Sequence, residues 1–132
     1  MTLHRNCCLW GAWLSLCWAL PALGAERAID KQVVVNATLD QAWGAWTTRE
    51  GIVAFLAPDA KIEPRVGGAF EIYFDPYAPA GSKGADGMRF MALQPKKMLS
   101  FDWNAPPSLL EARQQRSFVV VRFEPLDDRQ TR

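Results

Sequence analysis

Histidine and cysteine, the side chains that most often carry catalysis or hold metals, occur only near the start of this 132-residue chain. The single histidine is His4, and the three cysteines are Cys7, Cys8 and Cys17. The later residues therefore offer no Ser-His-Asp or Cys-His arrangement and no metal site built from histidine or cysteine. A calcium or magnesium site made of carboxylates alone stays open, but no D-x-D-x-D-G loop occurs. We predict no metal site.

Three charged residues interrupt apolar stretches and are the remaining candidates for chemistry: Glu71, Asp102 and Arg122. A carboxylate with a raised pKa in an apolar pocket could act as a general acid or base. Strand alternation gives a simpler interpretation, in which each charge lies on the solvent face. We favour that interpretation and predict no catalytic residue. No glycine-rich loop has dinucleotide or P-loop spacing, so we predict no cofactor.

Aromatic residues are concentrated in the second half of the chain. They could line an apolar pocket for a small hydrophobic ligand. They could equally form the core that a domain without disulfides requires, and the residues alone favour this second interpretation. The aromatic residues in question are Phe70, Tyr73, Phe74, Phe90, Phe101, Trp103, Phe118 and Phe123.

Hydrophobic periodicity predicts two short helices followed by about five antiparallel strands. Residues 29–37 alternate and predict a further strand before the helices. Thr38 and Gln41 have capping-box spacing at the start of the first helix, and the second helix ends before Pro58. Residues 76–87 are glycine- and proline-rich and predict a loop, and 105–116 predict a linker or short helix. The predicted strands after the helices are 60–66, 69–77, 88–95, 97–104 and 117–126.

The first 24 residues have the pattern of a secretory signal peptide. Arg5 precedes an uncharged stretch of nineteen residues, Cys7 to Ala25, and residues 22–24 read Ala-Leu-Gly, as a signal peptidase requires. We predict cleavage before Ala25 and a periplasmic or secreted product without a stable membrane anchor. An uncleaved anchor is the alternative, because nineteen residues can just span a bilayer.

The predicted mature chain, residues 25–132, is neutral. Removing Arg5 from the fifteen basic residues leaves fourteen, which equals the number of acidic residues. We therefore expect no nucleic-acid partner, since such partners require a basic surface. The length is that of one domain.

Three motifs follow one another along the chain in a recognisable order. They are W-x-x-W-T-T-x-E-G from Trp43, R-x-G-G-x-F from Arg65 and P-x-x-x-L-S-F-x-W from Pro95. In this order they resemble the SRPBCC (START-like) superfamily. The closest resemblance is to its branch similar to the C-terminal domain of the activator of heat-shock-protein ATPase. The similarity runs from about Ile29 to the end of the chain.

The resemblance implies an α+β helix-grip fold, in which an antiparallel sheet curves around a long C-terminal helix and encloses a ligand cavity. The chain ends at Arg132, where the family pattern continues with a final strand and that helix. We therefore expect residues 25–132 to be a C-terminally truncated domain with two short N-terminal helices and no long helix. The strand at 117–125 would then be an unpaired edge, and the uncovered sheet face could promote self-association.

The function implied by the resemblance is binding of a small hydrophobic molecule, without catalysis. A cyclase- or hydrolase-like enzyme using Glu71 or Asp102 is the alternative. A co-chaperone-like interaction is a further alternative, although a signal peptide would direct the chain away from cytosolic chaperones. The residues expected to face the cavity are Phe70, Ile72, Met91, Leu93, Leu99, Phe101, Trp103, Val119, Val121 and Phe123.

Overall fold

The computed structural model describes residues 28–132, in which two short helices precede five antiparallel strands. Lys31–Arg132 form one unit. The predicted signal peptide, residues 1–24, lies outside the described residues. The elements are α1 (Leu39–Thr47), α2 (Arg49–Phe55), β1 (Asp59–Ile62), β2 (Phe70–Tyr73), β3 (Phe90–Gln94), β4 (Met98–Trp103), α3 (Leu110–Arg113) and β5 (Ser117–Arg122).

The two N-terminal helices begin at side-chain caps. The Thr38 hydroxyl accepts from the Gln41 N–H at 3.2 Å, and the Gln41 side chain accepts from the Thr38 N–H at 2.9 Å. This reciprocal pair is the predicted capping box. Thr48 ends α1 and caps α2, since its hydroxyl accepts from the Gly51 N–H at 3.0 Å.

The strands pair antiparallel in chain order. Strands β1 and β2 form a hairpin, and β3, β4 and β5 form a three-stranded sheet in that order. Two backbone hydrogen bonds connect the start of β2 to the start of β3, from Phe70 N to Met88 O and from Phe90 N to Gly68 O, both 2.9 Å. The expected α+β class, with short N-terminal helices and antiparallel strands, is confirmed.

The predicted strand at 29–37 is wrong, because only Val35 makes a strand-like pairing. Val35 exchanges two backbone hydrogen bonds with Thr131, at 2.9 and 3.1 Å. The chain turns at 127–129, so that Glu124 and Arg132 also exchange backbone bonds, both 2.8 Å. Residues 130–132 thus lie between Val35 and the extension of β5. Among residues 28–37, only Val35 has a backbone pairing partner, so the alternating pattern does not extend into a strand.

The same turn changes the expectation for the end of the last strand. Pairing continues past β5 at Glu124, so the predicted edge at 117–125 is not unpaired along its whole length. The longest helix among residues 28–132 is α1, with nine residues, and none of these residues forms a helix after β5. None of the helices in this part of the chain is long and apolar enough to cross a bilayer.

An aromatic cluster fills the space between the helices and the inner face of the sheet. Phe70 stacks on Phe101 with ring centroids 3.9 Å apart, and Phe90 meets Phe70 edge-on at 4.9 Å. Trp46 of α1 stacks over both Phe70 and Phe101. Part of the aromatic set is therefore core, as the residues alone favour. An uncovered sheet face would leave Leu99 and Phe101 exposed. That expectation is wrong for these two residues, which are buried within this core.

Candidate functional site

A cavity of about 600 Å³ lies between α1, α2, the segment around Val35 and the end of β5. We call it the apolar cavity, because its walls are mostly aliphatic and aromatic. Its volume falls in the range of about 300–1,000 Å³ that is usual for small-molecule sites. The apolar side chains of its walls include Val33, Val35, Ala42, Ala45, Trp46, Phe55, Val121 and Phe123.

Helical and strand periodicity direct the wall residues towards one space. Ala42, Ala45 and Trp46 are spaced i, i+3 and i+4, which places them on one face of α1. At the end of β5, Val121 and the next-but-one residue Phe123 share the inner face, where Phe123 meets Trp43 edge-on at 5.5 Å. This contact between Trp43 and Phe123 fixes the distance between α1 and the sheet.

Hydrogen bonds hold the segment 33–37 in place as the remaining wall. Thr131 is buried, and its hydroxyl donates to the Ala37 carbonyl at 2.9 Å. The Gln130 side chain donates to Asn36 Oδ1 at 3.0 Å. With the backbone bonds of Val35, these contacts attach the segment to residues 130–132.

Comparison with known proteins identifies the domain. The family model described as activator of Hsp90 ATPase homolog 1-like protein (AHSA1) matches residues 36–132. The chain belongs to this family. It is also similar to the crystal structure of protein MLL2253 from Mesorhizobium loti. The two are 26% identical with a TM-score of 0.54, over 75% of this chain and 70% of that one. No curated protein matches the chain.

Nine of the ten residues expected to face a cavity are distributed over three environments of the AHSA1-like domain. Val121 and Phe123 line the apolar cavity. Leu93, Val119 and Trp103 are partly buried and pack on the core. Four others lie wholly inside the core: Phe70, Ile72, Leu99 and Phe101.

The tenth residue, Met91, lies on the opposite face of β3 from the one expected. Its side chain is 48% exposed, whereas its neighbour Phe90 is fully buried. The register shifts between Phe90 and Ala92, so an extra residue interrupts the alternation there. This bulge corrects the expected orientation of Met91, since strict period two cannot anticipate it.

The sequence did not predict the walls of the apolar cavity that lie outside the strands. Trp46 and Phe55 belong to the helices, and Val33 and Val35 belong to an irregular segment. The apolar stripe of α1 was a usable signal, but it predicts burial against the sheet as well as it predicts a cavity wall. Nothing local in the sequence indicates that Val33 and Val35 line the same cavity as the helices.

The two candidate catalytic carboxylates are held by structural hydrogen bonds. The oxygens of Glu71 accept from the Tyr73 hydroxyl and from the Gly87 N–H, the latter at 3.2 Å. Those of Asp102 accept from the Arg89 N–H at 2.6 Å and from Arg116 at 3.1 Å. Three of these oxygens thus connect a strand to residues outside the strands, the fourth accepts within β2, and Arg122 is exposed.

The phenol beside Glu71 is a proton donor rather than a base. Burial, together with donation to Glu71, raises the pKa of Tyr73 above its usual range. Tyr73 therefore stays protonated at neutral pH. Within residues 28–132, no three His, Cys, Asp or Glu side chains converge to hold a metal ion.

Proposed function

We propose that this AHSA1-like domain binds a small apolar molecule in the apolar cavity, with the end of β5 on one side and the two short helices on the other. The observation that carries the proposal is the cavity itself, about 600 Å³ of space with mostly hydrocarbon walls. Removal of apolar surface from water lowers the free energy, so such a space favours a ligand that covers its walls.

Four polar side chains line the cavity, and three of them already have partners. The Gln41 side chain accepts from the Thr38 N–H, the Thr131 hydroxyl donates to the Ala37 carbonyl, and Arg132 pairs with Glu124 at 2.8 Å. The fourth, Arg122, is exposed at the end of β5. Size and hydrophobicity should therefore select among uncharged ligands, and those of similar length should bind with similar affinity.

The proposal includes export of the chain with cleavage before Ala25, so that the domain acts in the periplasm or outside the cell. This part depends on the sequence pattern of residues 1–24. N-terminal sequencing of protein from the cell envelope tests it: a chain that begins at Ala25 supports cleavage, and one that begins at Met1 contradicts it.

We propose ligand binding without catalysis, rather than action on an Hsp90 ATPase as the family description would suggest. A signal peptide would separate the chain from cytosolic chaperones, and the carboxylates that could catalyse a reaction are occupied. Self-association through apolar sheet surface stays a prediction, which sedimentation of the full chain would test.

Calorimetric titration of the full chain with decanol tests ligand binding. We expect saturable binding with a negative heat-capacity change, which marks burial of apolar surface. Ala54 and Val53 are neighbours on α2, but only Ala54 lines the apolar cavity. Ala54→Phe should weaken decanol binding by about fivefold by filling the space, and Val53→Phe should not. Equal affinity in both variants, or heat that never saturates, would refute the proposal.

A further inference from the structure

A second cavity, of about 430 Å³, lies between the loop 74–85 and the segment 103–107. It shares no wall residue with the apolar cavity. Side chains with rings form much of its apolar lining: Phe74 and Trp103 are aromatic, and Pro106 and Pro107 follow β4. The flat faces of the two aromatic rings favour a planar molecule.

Asn104 supplies a polar group at this cavity. It is only 8% exposed, yet its side-chain amide makes no hydrogen bond with any residue the structure describes. No fully buried side-chain nitrogen or oxygen in 28–132 lacks a partner, so the amide of Asn104, which lines this cavity, keeps contact with solvent through its small exposed surface. A ligand that hydrogen-bonds this amide would replace the water at that surface.

One arginine fixes the two walls relative to each other. Arg113 donates to the Ala105 carbonyl at 2.6 Å on one wall and to the Gly81 carbonyl at 2.9 Å on the other. It also pairs with Asp86, and both side chains of this pair are largely buried. Asp86 in turn accepts from the Gly81 and Gly84 N–H groups. The second cavity is therefore held by directed bonds before any ligand arrives.

We propose that the second cavity binds a small planar molecule that carries a carboxamide or lactam group. An amide offers a donor and an acceptor side by side, and the neutral amide group of a carboxamide or lactam complements both. This holds for either orientation of the Asn104 amide. A carboxylate has acceptors only and would face the carbonyl oxygen of Asn104, while a hydrocarbon would leave both groups unpaired.

Charged residues at the rim do not select an anion. Lys83 lines the cavity, but its ammonium lies over the Tyr73 ring, 5.2 Å from the centroid. Asp75 lines the same rim with the opposite charge. The two charges offset each other, and the neutral amide of Asn104 is left to recognise the ligand.

Three ring compounds of matched size test the proposal on the full chain: benzamide, benzoate and toluene. Nitrogen-labelled protein reports binding through the Asn104 side-chain NH₂ and the Trp103 indole N–H resonances. We expect saturable shifts with benzamide and binding at least about fivefold weaker for benzoate and toluene. Equal affinities for the three compounds, or no saturable shift with benzamide, would overturn the proposal.

Two variants sharpen this test. Asn104→Leu should weaken benzamide binding about tenfold and leave toluene binding within about twofold, because only the hydrogen-bonded pair is lost. Gln94→Leu also removes a side-chain amide, at an exposed position that lines neither cavity, and should leave benzamide binding unchanged. Undiminished benzamide affinity in Asn104→Leu contradicts the proposal. If that variant does not fold, the ranking of the three compounds on the unaltered chain decides.

Discussion

The apolar cavity and the second cavity are both large enough for a small molecule, but different interactions hold their walls. In the first, the helices pack on the sheet through aromatic contacts, such as that between Trp43 and Phe123, whose ring centroids are 5.5 Å apart. In the second, Arg113 connects the walls through hydrogen bonds and an ion pair. Packing is non-directional, whereas hydrogen bonds are sensitive to angle and distance.

This difference predicts two kinds of selectivity in one small domain. A cavity held and lined by hydrocarbon can adjust to ligands of several shapes at modest cost. A cavity fixed by hydrogen bonds, with an unpaired amide in its wall, should reject ligands that lack the complementary group. Variants that act on one set of wall interactions should therefore leave binding at the other cavity unchanged.

The largest effect should come from the core below the apolar cavity. Phe70 is fully buried and contacts Phe101, Phe90 and Trp46 through its ring. Phe70→Ala should lower the free energy of unfolding by about 3–5 kcal/mol, measured by urea denaturation. Phe118 is 67% exposed, so Phe118→Ala should change it by less than about 0.5 kcal/mol. Similar losses in both variants would contradict the described core.

Substitution of Arg113 should affect ligand binding at the second cavity but not at the apolar cavity. Arg113→Met leaves Asp86 and two carbonyl groups without their partner, which should cost about 2–3 kcal/mol of unfolding free energy. Benzamide binding should be lost, while the affinity for decanol should change by less than about twofold. Arg116→Met is the matched control, since its partly exposed pair with Asp102 should contribute less than about 1 kcal/mol. If Arg113→Met weakens both ligands equally, the cavities are not independent.

A smaller effect is expected at the start of α1, whose face lines the apolar cavity. Thr38→Ala removes the hydroxyl that accepts from Gln41 and should reduce stability by about 1 kcal/mol in thermal denaturation. Thr38→Ser keeps the hydroxyl and should retain most of the stability. A Thr38→Ser variant as unstable as Thr38→Ala would show that the methyl group, not the cap, is important.

The smallest effect should be a pH dependence at Asp59. The Ala60 N–H, at 2.8 Å, and the Arg49 guanidinium, also at 2.8 Å, hold the pKa of Asp59 below its usual value. The stabilisation is therefore complete above the unfolded pKa of about 4 and is lost as pH falls through the lower folded pKa. Melting temperatures of the unaltered chain and Asp59→Asn should differ most at neutral pH and converge as the pH falls through the lowered pKa of Asp59. A constant difference would contradict this linkage.

Local signals account for the parts of the fold that the sequence predicted. The capping box of Thr38 and Gln41 locates α1, and the turn at Lys96, which has a φ of 59°, locates the β3–β4 hairpin. Alternation placed Val121 and Phe123 on the inner face, where they line the apolar cavity. Each of these features depends on residues within a few positions of one another.

The remaining features depend on contacts between distant segments. Asn36 and Gln130 are 94 positions apart, and no periodicity in 29–37 could reveal that this segment pairs with residues 130–132. The burial of Asn104 likewise depends on walls that Arg113 holds together across the fold. The bulge after Phe90 is a departure from alternation that composition does not encode.

The pairing of Val35 with Thr131 has a kinetic consequence for the apolar cavity. Closure of so long a loop is entropically unfavourable, and only a few hydrogen bonds hold it, so it should open more often than the strands. The Val35 amide should therefore exchange its hydrogen faster than the amides of β4. Each opening should remove one wall, so that a ligand bound there as proposed could leave without unfolding of the core. The residence time of that ligand should then depend on how often Val35 separates from Thr131, as well as on the side chains that touch the ligand.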